Sequence, residues 1–441
     1  MKSITIILIL CIASGFIIPH ALSQEIYDLN RCLATGLEKN FSFIITKNIE
    51  KTAGNNFTPG NAGLMPSLSL SGQYGGTLLS GKDKSVDNTT TETGSIHSTT
   101  AMSGVNLEMN LFNGFENRRT YQKLGKMAEL GSLETRLAME NLVAELMARY
   151  HYYIQQINLY QNLAYTVSLS KERVRIDEER YRLGSASRLE LLQSLVYFNA
   201  DSSRYVKQRE ILRTSQIQLN ELMGLQDPGQ TWALKDTAIH ILEGLIYSDL
   251  LSQTLIKNTR LLIAEQNREL TAIEAKIIQA KTFPSLSLSS GYSIYRYGYE
   301  SGDLASRISQ GWNYGLKMGM TLYDGNNLKR QKENSRLELI NKSILYQEIQ
   351  QQITAELLTV YDAYTNNLNL LRLEEQNLSV ARENLEIAME RYRLGNLSGL
   401  ELREVQKSLL DAEERLLSVQ YQTKLAEISL HVIAGSLSEY F

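Results

Sequence analysis

Three residue patterns in this chain could do chemistry, and none of them is complete. Residues 76–83 (GTLLSGKD) come within one residue of a phosphate-binding P-loop, but the final Ser or Thr that would hold magnesium is absent. Residues 168–171 (SLSK) match a Ser-x-x-Lys nucleophile pattern, yet they lie in a long amphipathic stretch without a second acylation motif. The histidines beyond residue 24 lack metal-ligand spacing: His97, His151, His240 and His431. The sequence therefore predicts no enzyme, no cofactor and no metal site.

Composition also excludes some classes of protein. The 441 residues carry a net charge of −3 and are 43% hydrophobic, values that favour neither a nucleic-acid partner nor a disordered chain. Residues 1–23 are predicted to be a secretory signal peptide, with Lys2 before an apolar run and small residues before position 24. Cys11 follows Leu10, where a lipoprotein signal requires a small residue, so no lipid attachment is expected.

The structural elements that would position any site occur twice in the chain, as an internal repeat. Residues 179–191 (ERYRLGSASRLEL) match residues 390–402 (ERYRLGNLSGLEL) at ten of thirteen positions. The same offset pairs 109–114 with 320–325 and Gly224 with Gly435, and self-similarity of this kind indicates a duplicated unit. The predicted division is a first repeat at 24–224, a connector in an equatorial region at 225–246, a second repeat at 247–435 and a short tail at 436–441.

Each repeat is predicted to contain the same elements in the same order. A helical segment (about 26–51 and 247–281) precedes a β-hairpin (about 67–112 and 285–323), with polar loops at 80–100 and 299–311. A very long helix follows, and 326–394 contains neither proline nor glycine, so each helix would be roughly 100 Å long. A stripe at 353, 357, 360, 364, 368 and 371 has helical spacing. Gly184 and Gly395 then supply the turn into a returning helix.

The predicted strands alternate apolar and polar residues over about ten positions. A soluble β-sandwich would show the same alternation, but the length suits a tilted membrane strand and helices flank the hairpins. Because lipid tolerates no unpaired sheet edge, four strands could span a membrane only if copies share one barrel, two copies giving eight strands and three giving twelve. The polar faces would then line the lumen, with the residues Asn106, Glu108, Asn110 and Lys317.

This doubled order of elements resembles the outer-membrane efflux protein (TolC) family over essentially the whole mature chain. The resemblance rests on the duplicated unit, on the strand exits LFNG (111–114) and LYDG (322–325), and on TPGNAGLMPSLSLSG (58–72). It implies a mixed α and β membrane protein: a homotrimer whose 12-stranded transmembrane β-barrel, with four strands per protomer, continues into a long α-helical coiled-coil barrel. The implied location is the outer membrane, extending into the periplasm.

The implied function is an exit duct that conducts substrates passively from the periplasm to the cell exterior. Such a duct serves a tripartite efflux pump or a type I secretion system, and its partners are outer-membrane lipids, a periplasmic adaptor (membrane fusion) protein and an inner-membrane transporter. The alternative is a periplasmic coiled-coil adaptor or structural protein of such an assembly, which also has a signal peptide and long helical hairpins. An adaptor would need a small β-domain flanking one hairpin, whereas this chain has two hairpins.

The resemblance also implies a periplasmic gate beyond the second RLG turn. Acids lie six and nine positions after that glycine, at Glu401 and Glu404, and three copies would ring the entrance with six like charges. Such a ring favours cations and tends to raise the pKa of its carboxylates. The alternative is structural, because acids near the start of a helix are ordinarily favoured by its dipole.

Further contacts of the gate follow from the same resemblance. A closed state would be tied by polar contact between Tyr392 and Glu190. Leu397 occupies the position where an arginine of the gate is expected, and Arg188 is the candidate substitute. The residues expected to contact the adaptor are those of the two turns, Leu183, Gly184, Ser185, Leu394, Gly395 and Asn396.

Overall fold

The computed structural model describes residues 26–300 and 304–437. In chain order the elements are β1 (Ile26–Tyr27), α1 (Leu29–Lys39), α2 (Phe41–Asn56), β2 (Ser67–Lys84), β3 (Thr90–Asn113), α3 (Glu116–Arg182), α4 (Arg188–Leu222), β4 (Ala233–Leu234), α5 (Tyr247–Lys257), α6 (Thr259–Ala280), β5 (Ser285–Tyr299), β6 (Ser306–Gly319), α7 (Asn327–Arg393) and α8 (Gly399–Ala434). The predicted signal peptide lies outside the described residues, as do residues 438–441 of the tail.

Each repeat begins with two short helices separated by an asparagine. Asn40 and Asn258 have extended backbones (ψ 120°), and each side chain accepts a hydrogen bond from the backbone N–H three residues on, which caps the second helix. The same side chains donate to the ends of the returning helices, Asn40 to the Leu222 carbonyl at 2.9 Å and Asn258 to the Ile433 carbonyl at 2.8 Å. The single helical segment expected in each repeat is therefore two helices.

The long helices α3 and α7 have 67 residues each, so each extends for about 100 Å. The stripe expected on α7 faces its neighbours, because Ile353, Leu357 and Tyr364 are almost fully buried and Val360 and Leu368 pack against them. The returning helices α4 and α8 lie along α3 and α7. Among residues 26–300 and 304–437, no helix combines the length and apolar character needed to cross a membrane.

The two hairpins form one antiparallel sheet in the order β2-β3-β5-β6. Strands β2 and β6 are its edges, and neither has a second partner within the described protomer. The sheet joins the two repeats through the pairing of β3 with β5. A parallel pair, β1 with β4, connects the start of the first repeat to the connector.

The strand ends differ from the sequence-based expectation in both hairpins. Residues 80–100 were expected to form a polar loop, but the pairing of β2 with β3 continues to Lys84 opposite Thr90, and only residues 85–89 form the turn. Polar side chains such as those of Thr and Lys are compatible with a strand when the backbone has a partner, and an isolated sequence does not reveal that partner. Strand β6 ends earlier than expected, at Gly319, before a turn in which Gly325 has φ +69°.

Candidate functional site

The two RLG turns lie at the free tips of the helical hairpins. Gly184 (φ +75°) and Gly395 (φ +79°) adopt the left-handed conformation that ends α3 and α7. Leu183 is 81% exposed and Leu394 is 74% exposed, which is high for leucine. All six residues expected to contact an adaptor are exposed in the protomer: Leu183, Gly184, Ser185, Leu394, Gly395 and Asn396.

The acids that follow these turns cap the returning helices. Ser187 and Glu190 form a capping box at the start of α4, and the backbone N–H of Ser187 donates to the Glu190 carboxylate at 2.6 Å. Ser398 and Glu401 repeat it on α8, with the corresponding hydrogen bond at 2.9 Å. The signal was present in the sequence as S-x-x-E, and it was missed because the positions were interpreted as a gate.

These hydrogen bonds set the charge of the two capping acids. The backbone N–H and hydroxyl of Ser398 stabilise the ionised form and hold the pKa of Glu401 below its ordinary value. Ser187 lowers the pKa of Glu190 in the same way. In the protomer the pKa of Glu401 is thus lowered, whereas a ring of like charges was expected to raise it. Glu404 is exposed and lies one turn further along α8.

The contact expected between Tyr392 and Glu190 is absent within the protomer. The Tyr392 hydroxyl donates instead to Oδ1 of Asp177, a buried residue of α3, while the capping box holds Glu190. Burial and the hydrogen bond to Asp177 raise the pKa of Tyr392 to about 12, so its hydroxyl stays protonated at neutral pH. The contact with Asp177 was not expected from the sequence, because Asp177 reads as an ordinary surface position of a long helix.

A cluster of buried and half-buried charged and polar side chains joins α3, α4, α7 and α8 just above the tips. We call it the tip cluster, and its members are Ser170, Arg173, Asp177, Tyr197, Asp201, Tyr392 and Arg403. The best-satisfied part is the pair between Asp201 of α4 and Arg403 of α8, with two parallel hydrogen bonds at 2.6 and 2.8 Å. Asp201 is fully buried and also accepts from the Ser170 hydroxyl. This pair ties the first repeat to the second.

The second part of the tip cluster, Arg173 and Asp177, has polar atoms without hydrogen-bond partners among the described residues. Arg173 Nε lies 3.8 Å from Asp177 Oδ2, and both residues are buried. Neither of these atoms has a hydrogen-bond partner among the described residues. The Arg173 guanidinium lies beside Gly399. A Cβ on residue 399 would lie 2.7 Å from Nη2 of Arg173. Leu397, at the position where an arginine of the gate was expected, is half-buried, and the candidate substitute Arg188 is exposed at the start of α4.

The sheet places the expected lumen residues on one face. Asn106, Glu108 and Asn110 alternate along β3, and the register pairs Asn110 with Ser287, which in turn pairs with Lys317 of β6. Directly paired residues share a face, so these four polar side chains lie on the same side. The opposite face carries the apolar residues, including Trp312 and Tyr314, both strongly exposed in the protomer.

Comparison with known proteins gives the same architecture. A family model described as "Outer membrane efflux protein" matches residues 51–225 and 250–436. The chain is 24% identical over 191 residues to "Outer membrane protein TolC" of Vibrio cholerae, covering 42% of each protein. It is 29% identical over 181 residues to "Cation efflux system protein CusC" of Escherichia coli K12, covering 39% of this chain and 38% of that protein. The matched segments therefore span about two fifths of these relatives.

Solved structures share the fold at low sequence identity. The outer membrane protein VceC of Vibrio cholerae superposes with a TM-score of 0.75 at 18% identity, covering 92% of this chain and 96% of that one. The CmeC outer membrane channel of Campylobacter jejuni gives 0.77 at 16% identity, covering 93% and 86%. The fold of the protomer is thus that of these channels, with long helices continuous with a four-stranded sheet. The protein is placed in the outer membrane, extending into the periplasm. The chain belongs to the outer membrane efflux protein family.

Proposed function

We propose that this protein is a homotrimeric exit duct of a tripartite efflux pump or a type I secretion system, which conducts substrates passively from the periplasm to the cell exterior. One observation carries the proposal: a sheet with one apolar and one polar face, two edges without partners in the protomer, and a direct connection to helices of 67 residues. Edges of this kind require further copies if the apolar face meets lipid.

The helices give independent support for further copies. Along α7 an exposed apolar residue recurs every seven positions, at Leu373, Val380 and Ile387, each at least 54% exposed. A seven-residue apolar repeat on a free face is the pattern of a seam with another helix. Helix α4 does not cover this face of α7 in the protomer, because it packs along α3. A second copy of the chain, which closes the sheet edges as well, is the occupant that satisfies both surfaces.

The assembly is tested by extraction and electrophoresis. We expect the protein in the outer-membrane fraction, released only by detergent, and migrating as a trimer that boiling converts to monomer. The apolar face of the sheet and the heptad stripe are the physical reasons, since both need cover from lipid or from another copy. Release by osmotic shock without detergent would refute the duct and favour the periplasmic adaptor.

We assign the adaptor contact to the residues of the two turns and the gate to Glu404. The exposed leucines of the tips, Leu183 and Leu394, offer apolar anchors to the adaptor. We assign the charge around the entrance to Glu404, because the carboxylate of Glu401 is hydrogen-bonded to Ser398 in the capping box. The first repeat has Gln193 at the equivalent position, so only the second repeat contributes this charge.

Replacing Glu404 with glutamine is expected to lower the cation-to-anion permeability ratio by about fivefold, which corresponds to about 1 kcal/mol for the loss of three charges, one from each protomer, near the ion path. The measurement is the reversal potential of channels in planar bilayers under a salt gradient. The matched variant Gln193→Glu adds an acid at the equivalent position and should raise the ratio. Unchanged reversal potentials in both variants would remove Glu404 from the gate.

A further inference from the structure

The polar face of the sheet changes character along its length. On β5, this face carries only serine and glycine from Ser285 to Ser293. Towards the hairpin turns the same face carries three tyrosines in succession, Tyr295, Tyr297 and Tyr299. Side chains at every second position of a strand share one face, so the tyrosines continue the line of serines. If this face lines a lumen, the lumen is wide near the helices and narrows towards the turns.

The three rings form an ordered ladder. The Tyr295 and Tyr297 rings are 6.1 Å apart between centroids and nearly parallel, at 5°. The rings of Tyr297 and Tyr299 are 6.3 Å apart at 16°. Residues paired with the ladder on β3 are shorter than tyrosine or flexible, namely Met102, Thr100 and Ser98. The rings therefore project beyond their neighbours on β3, and Tyr295 and Tyr297 are half-buried while Tyr299 is exposed.

One charged residue accompanies the ladder at these paired positions. The register places Arg307 of β6 directly opposite Tyr297, and Ser309 opposite Tyr295. On the other side of β3, the positions in line with the ladder are Gln73, Gly75 and Thr77 of β2. Arg307 is exposed, whereas Arg296 lies on the opposite face of β5. The local charge at this part of the face, over these described positions, is thus positive.

We propose that Tyr295, Tyr297, Tyr299 and Arg307 form a binding site for aromatic organic anions at the turn end of the lumen. This inference rests on the proposed function, which makes the polar face a lumen. An aromatic ring packs against the edges of the ladder or on its outermost ring face, and the guanidinium of Arg307 pairs with the carboxylate or sulfonate of the same molecule. Tyrosine faces also attract organic cations, but the adjacent arginine opposes them. Three protomers would present nine rings and three guanidinium groups around the exit.

The site is tested by block of single channels in planar bilayers, with each probe added to one side at a time. The probes are 2-naphthalenesulfonate, cyclohexanesulfonate as an aliphatic anion, and 1-naphthylmethylammonium as an aromatic cation. We expect the aromatic anion to block at a concentration about tenfold lower than either of the others, the factor that one good aromatic contact supplies. Block should be stronger from one side, because the ladder lies at one end of the sheet.

Variants then assign the block to the ladder. Tyr297→Leu keeps an apolar side chain but removes the ring, and Arg307→Gln removes the charge. Each should raise the half-blocking concentration of the aromatic anion by about threefold to tenfold. Tyr292→Leu, on the opposite face of β5, is the matched control and should leave the block unchanged.

Two failures can be told apart. A wild-type protein that forms no channel would refute the proposed function together with this inference. Conducting channels that the aromatic and aliphatic sulfonates block equally would refute only the aromatic site. The comparison of probes uses wild-type protein, so the inference is decided even if a variant does not assemble.

Discussion

Replacement of Asp201 by alanine is expected to lower the free energy of unfolding by about 3–5 kcal/mol, because removing one partner of a buried ion pair leaves the other charge uncompensated. Asp201 is fully buried, and Arg403 is only 14% exposed on the other repeat. The variant removes both Arg403 hydrogen bonds and the one from Ser170. It should therefore also loosen the periplasmic tip and raise single-channel conductance.

The measurements are chemical unfolding in detergent and conductance in planar bilayers. Glu390→Ala is the matched control, since the Glu390 pair with Arg393 lies near the same tip with a 2.7 Å contact but is about half exposed or more on both sides. Exposed pairs of this kind contribute about 0–1 kcal/mol. A double variant, Asp201→Leu with Arg403→Met, should recover much of the lost stability, because apolar residues of similar volume can replace a buried ion pair. Equal effects of Asp201→Ala and Glu390→Ala would contradict the role of the tip cluster.

Replacement of Gly224 by alanine is expected to cost about 3 kcal/mol or more, which combines the strain of a left-handed alanine with overpacking. Gly224 has φ +71°, and a Cβ there would lie 2.7 Å from the backbone carbonyl carbon of Lys39. Backbone atoms of α1 cannot move aside as the end of a flexible side chain can. The second repeat has the same joint, where a Cβ on Gly435 would lie 2.5 Å from the Lys257 carbonyl oxygen.

Gly184→Ala separates the two costs. Gly184 has a similar φ of +75°, but no atom lies within 4 Å of the position of its Cβ. This variant should therefore cost only the conformational strain, about 1–2 kcal/mol. Thermal unfolding of both variants, followed by the loss of the heat-resistant trimer, gives the comparison. If Gly224→Ala is no more destabilising than Gly184→Ala, the close approach of α1 to this turn does not constrain the glycine.

Much of the architecture could be predicted from the sequence, because it depends on short-range patterns. The repeat register located both long helices and both RLG turns, and the alternation along β3 placed Asn106, Glu108 and Asn110 on one face. Patterns of two or three and four residues determine which side chains share a face, whatever the neighbours are. The capping boxes at Ser187 and Ser398 also follow from a local pattern, S-x-x-E, but this pattern was missed because Glu190 and Glu401 were assigned to a gate.

The positions at which the strands end could not be predicted from short-range patterns of this kind. Residues 80–84 and 90–100 are rich in polar side chains, so the sequence favoured a loop, whereas the structure pairs them across the hairpin. Backbone hydrogen bonds to a partner strand decide whether such a segment extends, and β propensity alone does not supply the partner. The ladder formed by Tyr295, Tyr297 and Tyr299 was likewise visible as alternation, but its alignment with Arg307 required the register of β5 with β6.

By itself, the sequence determined the duplication, the lengths of the helices, the turns at their ends and the two faces of the sheet. The partners of the charged residues in the tip cluster were decided only by the tertiary structure. Asp177 and Asp201 read as solvent-facing acids of long helices, yet they meet Tyr392 and Arg403, which lie 215 and 202 residues away. A carboxylate can be buried only where a donor from another helix compensates its lost hydration, and that depends on how four helices pack.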